Sequence, residues 1–381
     1  MTTGTMRILH CVPTLGGGGA ERQLACLSEQ MSKDGASVHV AYTRPGPNFD
    51  RLRKSGVVTH ELACRSNYDP RILWQLLETI QRVRPQVIQT WLTQMDVLGG
   101  LASILTNTPF ILSEQSSSKA YVGKWKDRLR LLVGRRAFAV IANSLGGKEY
   151  WQKIGRANRV EVIRNGIPLS EILTSTRLPD DEAGVNPSAQ VILWAGRYRP
   201  EKNPLLLMRA VPEILSECKD AVVVFFGAGP LEGDLLSLAE RSGMGRRVRI
   251  EGFSTNLWSW MRRAGVFVST SVYEGSPNAV CEAAAAHCPL ILSDIPQHRE
   301  LLSDDSASFF PLNDPPALAR SILSALRDPG QLKRKAEAAY GKLSKWTVES
   351  VTGEYLSLYW EAASEGRSSL SESMSAGHLG G

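Results

Sequence analysis

Two glutamates with seven residues between them, Glu274 and Glu282, stand in SVYEGSPNAVCEAAAA, residues 271–286. A carboxylate between Cys281 and the alanines at 283–286 has few structural reasons to be there, because an unpaired charge in apolar surroundings is costly. Ser276, Pro277 and Asn278 read as a helix start, which puts Glu282 one turn inside and leaves Glu274 on the incoming loop. Backbone amides at Asn278, Ala279 and Val280 can then hold phosphate oxygens at a positive helix end. From the next turn Glu282 can accept from the two hydroxyls of a nucleotide's ribose, while Glu274 reaches toward the group being transferred. The plain structural alternative is a glutamate paired with a basic neighbour such as Arg299.

Cations for the same ligand stand in GRYRPEKNP, residues 196–204, where Arg197 and Lys202 straddle a turn closed by Asn203–Pro204. At the C-terminal end of a strand such a pair can neutralise a diphosphate and steady it as a leaving group. Two solvated loop charges are the alternative. FFGAGP (225–230, with Gly227) and EGF (251–253, ending in Phe253) add turns at strand ends. LGGGGAERQL, residues 15–24, sets four glycines between a strand and a helix. It reads as a tight turn, as a phosphate or substrate loop, or as a dinucleotide loop. The last fits worst: the GxGxxG spacing is unconvincing and no acid ends the second strand.

These loops need strands and helices to hold them. RILHCVP (7–13), SVHVAY (37–42), VVTHEL (57–62), QVIQT, PFILSE and FAVIAN alternate with helical patterns, and RVEVIRNG closes a first half. QVILWAGR, AVVVFFGAG, RVRIEGF, VFVSTS and LILSD restart the alternation after residue 189. Short apolar strands separated by helices predict parallel sheets covered on both faces, an α/β fold. We therefore expect a Rossmann-like domain at 1–168, a linker at 169–189 and a second such domain at 190–345. A last helix is expected at 346–363 and a disordered Ser/Gly-rich tail at 364–381. Two such sheets facing each other would place both sets of loops in one cleft.

With 381 residues, 43% hydrophobic and 22% charged, the composition suits a folded two-domain protein. No run is long and apolar enough for a membrane span, and the N-terminus shows no signal-peptide pattern, so a cytoplasmic location is expected. The six cysteines form no CxxC pair; free buried thiols are expected rather than a zinc site. The net charge of +6 is uneven: residues 1–180 carry 24 Lys/Arg against 14 Asp/Glu, the remainder 20 against 24. Much of the excess lies at 119–136, KAYVGKWKDRLRLLVGRR, with seven basic residues against Asp127 and with Trp125 and leucines interleaved. This stretch reads as a solvated helix face or as an interfacial helix touching anionic lipid. No nucleic-acid-binding motif accompanies it.

The acidic pair Glu274/Glu282, the GGGGAER start, VIRNGI at 162–167 and GRYRPEKNP together resemble the retaining glycosyltransferases of family four in the GT-B class, over roughly residues 6–363. The resemblance implies two Rossmann-like domains facing across a cleft, no metal or other required cofactor, and a nucleotide-sugar donor, UDP-linked most often in the family. It implies that Arg197 and Lys202 bind the diphosphate, that Glu282 holds the ribose, and that Glu274 contacts the donor sugar with Gly275 to Val280 supplying backbone contacts. Gly17 and Gly18 would approach the phosphates or the acceptor. Many relatives carry a histidine after the strand near 110; this chain has SEQSSS, and Glu114 there could orient an acceptor hydroxyl. The basic first half fits a polyprenyl-diphosphate-linked or other glycan acceptor at the inner membrane face, as in bacterial envelope polysaccharide assembly. A small soluble acceptor, a nucleotide-sugar epimerase and a non-catalytic carbohydrate-binding protein are the alternatives.

Overall fold

In a computed structural model, residues 5–67, 69–116, 125–241, 243–254 and 256–376 are described, with side chains to residue 365. The chain divides into two compact units, one formed by Met1–Gly166 with Val348–Gly381, the other by Ile167–Thr347.

The first unit is built on a seven-stranded sheet of β1 (Arg7–Thr14), β2 (Ser37–Arg44), β3 (Val58–Glu61), β4 (Val87–Trp91), β5 (Phe110–Glu114), β6 (Ala139–Ala142) and β7 (Val160–Val162), in the order β3-β2-β1-β4-β5-β6-β7. All neighbours are parallel. Period-two alternation decides which side chains meet: Leu9, Cys11, Ile88 and Leu112 fall on one face and enter a core with Ile72, Leu76 and Trp151. The last helix, Val348–Ala376, belongs to this unit and packs on the Gly19–Lys33 helix, with Val351, Tyr355 and Tyr359 buried. It runs past residue 363, where a disordered tail was expected; residues 377–381 lie outside the described residues. The helix continues through SEGRSSLSESMSA despite its serines and Gly366.

The second unit holds β8 (Gln190–Ala195), β9 (Ala221–Phe226), β10 (Val248–Glu251), β11 (Val266–Ser269), β12 (Leu290–Ser293) and β13 (Ser308–Phe310), ordered β10-β9-β8-β11-β12-β13 and again parallel. Val191 to Trp194, Val223 to Phe226 and Val266 to Phe267 are buried, as continuous apolar runs covered on both faces must be. The segment expected as a linker forms two short helices, Leu169–Thr174 and Asp180–Ala183. Ile172, Leu178 and Ala183 are buried in the core of this unit, so the stretch is part of it rather than a free tether. Its apolar residues are too sparse to show periodicity, and Leu173 among them stays exposed.

Strand order reverses between β1 and β4 and again between β8 and β11. In open parallel sheets the loops leaving the C-terminal strand ends at such a point form the ligand edge. The loop after β8 carries Arg197 and Lys202, and the loop after β11 carries Glu274. Their adjacency is therefore a consequence of topology, not of sequence distance.

Candidate active site

The loops after β8 and β11 are tied together by backbone and buried side chains. The Val272 amide donates to the Glu201 carbonyl at 2.9 Å. Thr270 Oγ1 donates to the Lys202 carbonyl at 2.9 Å and accepts from Trp194 Nε1 at 2.9 Å. Tyr198, wholly buried, sets its hydroxyl 3.1 Å from the Phe225 carbonyl and 2.8 Å from that of Glu251, anchoring the 196–203 loop to the next strands. Asn203 takes a left-handed conformation, φ 49°, immediately before Pro204 begins the Pro204–Glu217 helix. That kink returns the chain and leaves Lys202 facing the β11 loop.

Lys202 Nζ lies 2.5 Å from Glu274 Oε1 and 2.6 Å from Oε2. Glu274 is buried and also accepts from Ser271 Oγ at 2.7 Å, whereas the Lys202 side chain keeps 23% of its surface. Together they line a narrow recess of about 20 Å³ with Trp194, Phe267, Pro277 and Val280. Arg197 stands on the same loop with 59% of its side chain exposed, 3.6 Å from Glu201 Oε1.

The Asn278–Ala285 helix begins after Pro277, as the sequence predicts. Two of its first amides are already used: Asn278 N–H donates to the Ser276 carbonyl at 3.0 Å and Val280 N–H to that of Pro277 at 2.9 Å. The expectation of three free amides at 278–280 is corrected to that extent, because the turn tightens at its own entry. Ala279 and Val280 do line the recess. Glu282 is 3% exposed, and its Oε2 accepts from Trp258 Nε1 at 2.9 Å. Arg299, the basic neighbour offered by the sequence, is instead engaged by Asp294 at 2.7 Å and Asp304 at 2.9 Å. Phe253 is 70% exposed after β10. Gly227, φ 153°, packs its α-carbon against the Gly196 carbonyl, where any Cβ would collide; its role is to let two loops touch.

In the first unit Gly17 is exposed and Gly18 begins the Gly19–Lys33 helix. The carboxylate of Glu21 folds over Gly18, so a side chain there would strike it. The loop is held by Leu15 N–H to the Arg44 carbonyl at 3.0 Å and by Asn48 to the carbonyls of Leu15 and Gly16.

Glu114 is not positioned for an acceptor hydroxyl. It is wholly buried at the end of β5, accepting from Arg130 Nη1 at 2.7 Å and Trp151 Nε1 at 2.9 Å through one oxygen and from the Ser116 amide at 2.8 Å through the other. Arg130 Nε also meets Asp96 Oδ2 at 2.6 Å, and Thr90 donates to the second oxygen of Asp96 at 2.9 Å. Burial pushes the Asp96 carboxyl up to about 6, against the pull of Arg130. Arg130 sits in the Trp125–Gly134 helix, within the stretch read as a basic surface; there it turns inward, while Trp125, Leu129 and Leu132 are exposed. Residues 119–124 of that stretch lie outside the described residues.

All six cysteines are free, four of them buried. Among the described residues no group of three or more His, Cys, Asp or Glu side chains is placed to hold a metal ion, and no helix is long and apolar enough to cross a membrane.

Known proteins resemble this chain over most of its length. Residues 17–171 match the model described as Glycosyltransferase Family 4, and residues 189–328 match that described as Glycosyl transferases group 1. The chain belongs to the family-four glycosyltransferases. As a member of this family it is 24% identical over 278 residues, 68% of the chain and 71% of the relative, to the UDP-Gal:α-D-GlcNAc-diphosphoundecaprenol α-1,3-galactosyltransferase of Escherichia coli. It is 22% identical over 370 residues, 93% of the chain and 99% of the relative, to a Campylobacter jejuni α-1,4-N-acetyl-D-galactosaminyltransferase that acts on a PP-undecaprenol glycan. The crystal structure of Anabaena Alr3699/HepE with UDP and glucose superposes with a TM-score of 0.83 at 19% identity, covering 92% of this chain and 98% of that one. The chain's fold is the GT-B fold of two parallel-sheet Rossmann-like domains, and other relatives are named for lipopolysaccharide core and capsular polysaccharide biosynthesis, in Rhizobium meliloti and Staphylococcus aureus.

Residues the sequence did not single out are Trp258, Ser271, Thr270 and Trp194. The polar run Ser269–Thr270–Ser271 directly after the apolar VFV was the available signal for two of them. The two tryptophans carried none, since their indole N–H groups find partners 24 and 76 residues away.

Proposed function

We propose that this chain is a retaining, metal-independent glycosyltransferase moving a hexosyl group from a nucleoside diphosphate, UDP first among them, to a hydroxyl of a polyprenyl-diphosphate-linked or glycan acceptor in envelope polysaccharide synthesis. One observation carries the reading: a half-sheltered lysine and a buried glutamate, Lys202 and Glu274, paired in a recess at the β8–β11 reversal of a family-four chain. The name of the E. coli relative contains both a UDP-sugar and a diphosphoundecaprenol acceptor, and Anabaena HepE was crystallised with UDP-glucose.

In this reading the donor's diphosphate takes Lys202 Nζ away from Glu274, and Arg197 provides the second cation. Glu282 and Trp258 form a fixed pair from which the carboxylate meets the ribose. Glu274, released by Lys202 and still held by Ser271, turns to the donor sugar. The bond from the anomeric carbon to the phosphate oxygen breaks, the bond to the acceptor oxygen forms on the same face, and the acceptor's proton passes to the departing diphosphate. The two cations stabilise the charge that develops there. A covalent route would need a carboxylate on the opposite ring face; Glu274 is assigned orientation and electrostatics instead. The exposed Trp125, Leu129 and Leu132, beside Lys126 and Arg128, would lie against an anionic membrane that presents the lipid acceptor.

The test is release of labelled nucleoside diphosphate from a panel of UDP-, GDP- and ADP-sugars, with and without undecaprenyl-diphosphate-linked glycans. Acceptor-dependent release is expected. A converted nucleotide sugar formed without acceptor would replace the reading with an epimerase, and inert mixtures throughout would end it. Sedimentation with phosphatidylglycerol vesicles should exceed that with phosphatidylcholine; equal sedimentation removes the membrane part.

A further inference from the structure

Behind Glu274 and Ser271 lie three further buried polar side chains, His298, Ser269 and Ser293, that none of the roles above uses. His298, wholly buried in the short Pro296–Arg299 helix, points Nδ1 at the Ser293 carbonyl, 2.8 Å away, and Nε2 at Ser269 Oγ, 3.3 Å away. Ser293 Oγ lies 2.6 Å from the Ser271 carbonyl, and Ser271 Oγ lies 2.7 Å from Glu274 Oε1. Ser269 ends β11 and Ser293 ends β12, so His298 bridges the two strand ends on the ligand edge.

The acceptors fix the hydrogens of His298 Nδ1, Ser293 and Ser271. A carbonyl can only accept, so His298 Nδ1 carries hydrogen and Ser293 Oγ gives its hydrogen to Ser271. Burial keeps the imidazole neutral by pulling its pKa down, which leaves Nε2 as an acceptor for the Ser269 hydroxyl. Ser271 then has its own hydrogen for Glu274. Ser269 Oγ lies 3.4 Å from Ser271 Oγ as well, so its hydrogen is shared between His298 and Ser271, while the Ser293 hydroxyl holds the Ser271 carbonyl and the Ser271 hydroxyl holds Glu274. A buried polar network satisfied in this way holds a single geometry.

We infer that His298, Ser293 and Ser271 form a positioning brace that fixes the direction of the Glu274 carboxylate once Lys202 leaves it for the donor's diphosphate. The inference rests on the reading of Glu274 as the donor-sugar contact. Without the brace Glu274 would follow Lys202 or rotate into the recess, and the donor sugar would lose its orientation while the diphosphate kept both cations. Positioning groups of this kind act on turnover more than on binding.

The experiment uses the full chain and whichever of UDP-, GDP- and ADP-glucose it hydrolyses or transfers fastest. Ser271→Ala should lower kcat about 10-fold and Ser293→Ala about 5-fold, while the Kd for the matching free nucleoside diphosphate stays within about twofold. The deciding measurement is the double variant: Ser271→Ala added to Glu274→Gln should slow the enzyme no further than Glu274→Gln does, within about twofold. Ser293→Ala, at a different strand end, should show the same lack of additivity. Multiplicative losses in both double variants, or nucleoside diphosphate binding that falls in step with kcat, overturn the brace and leave the donor site standing. A wild-type chain that turns over none of the three sugars removes the donor site and the brace with it.

Discussion

The two units each hold carboxylates and a cation at the C-terminal edge of a parallel sheet, and the two clusters behave oppositely. In the second unit Lys202 meets Glu274 with nearly a quarter of the lysine side chain still open, above a recess. In the first, Arg130 binds both Asp96 and Glu114 with all three side chains sealed at 2% exposure or less. A cation that can leave its carboxylate can receive a ligand's charge. One that neutralises two buried carboxylates has nowhere to go, because either would be left charged in a medium that disfavours it. Ion pairs at equivalent sheet edges thus differ in whether the cation can be released: Lys202 is open to a ligand's charge, whereas Arg130 serves the fold.

The contrast breaks most directly at Arg130. Arg130→Met should destabilise the protein by about 3–5 kcal/mol, the usual cost of orphaning a buried charge, read from urea unfolding. A loss below about 1 kcal/mol would mean the cluster is better hydrated than its burial implies. Lys202→Ala should do the reverse, cutting turnover of the nucleotide sugar about 100-fold while lowering the urea midpoint clearly less than Arg130→Met does. If its stability fell and its turnover did not, the two clusters would have to exchange roles.

A smaller loss is expected at Glu282→Ala, about tenfold in affinity for the nucleoside diphosphate by titration calorimetry, since ribose contacts add to a site whose cations remain. Unchanged affinity would leave the carboxylate as a partner for Trp258 alone. The mildest test concerns pH. The folded Asp96 carboxyl titrates near 6, above its unfolded value, so its contribution to stability is full below about 4 and is lost as pH rises through about 6. The difference in unfolding free energy between wild type and Asp96→Asn should therefore decline across that window. A difference that rises with pH would show that Arg130 holds the carboxyl down.

Much of the fold was legible because its determinants are local. The apolar runs VILWA, VVVFF and LIL announce buried parallel strands, and the glycine and proline turns between them mark where helices begin. What misled was the reading of charge without depth. Arg130 reads as part of a basic surface and Glu114 as facing an acceptor, whereas the two side chains, 16 residues apart, pair with each other. The segment 169–189 reads as a tether because four buried side chains, Ile172, Leu178, Ala183 and Ala189, among polar neighbours leave no period to detect.

From the residues alone came the alternation of strand and helix, the loops that carry Arg197, Lys202 and Glu274, and hence the kind of ligand those loops suit. Only the folded chain settled which charges face solvent and which face each other. Periodicity and turn chemistry act over a few residues, whereas a side chain's partner depends on strand order and burial, which bring together positions as far apart as Lys202 and Glu274.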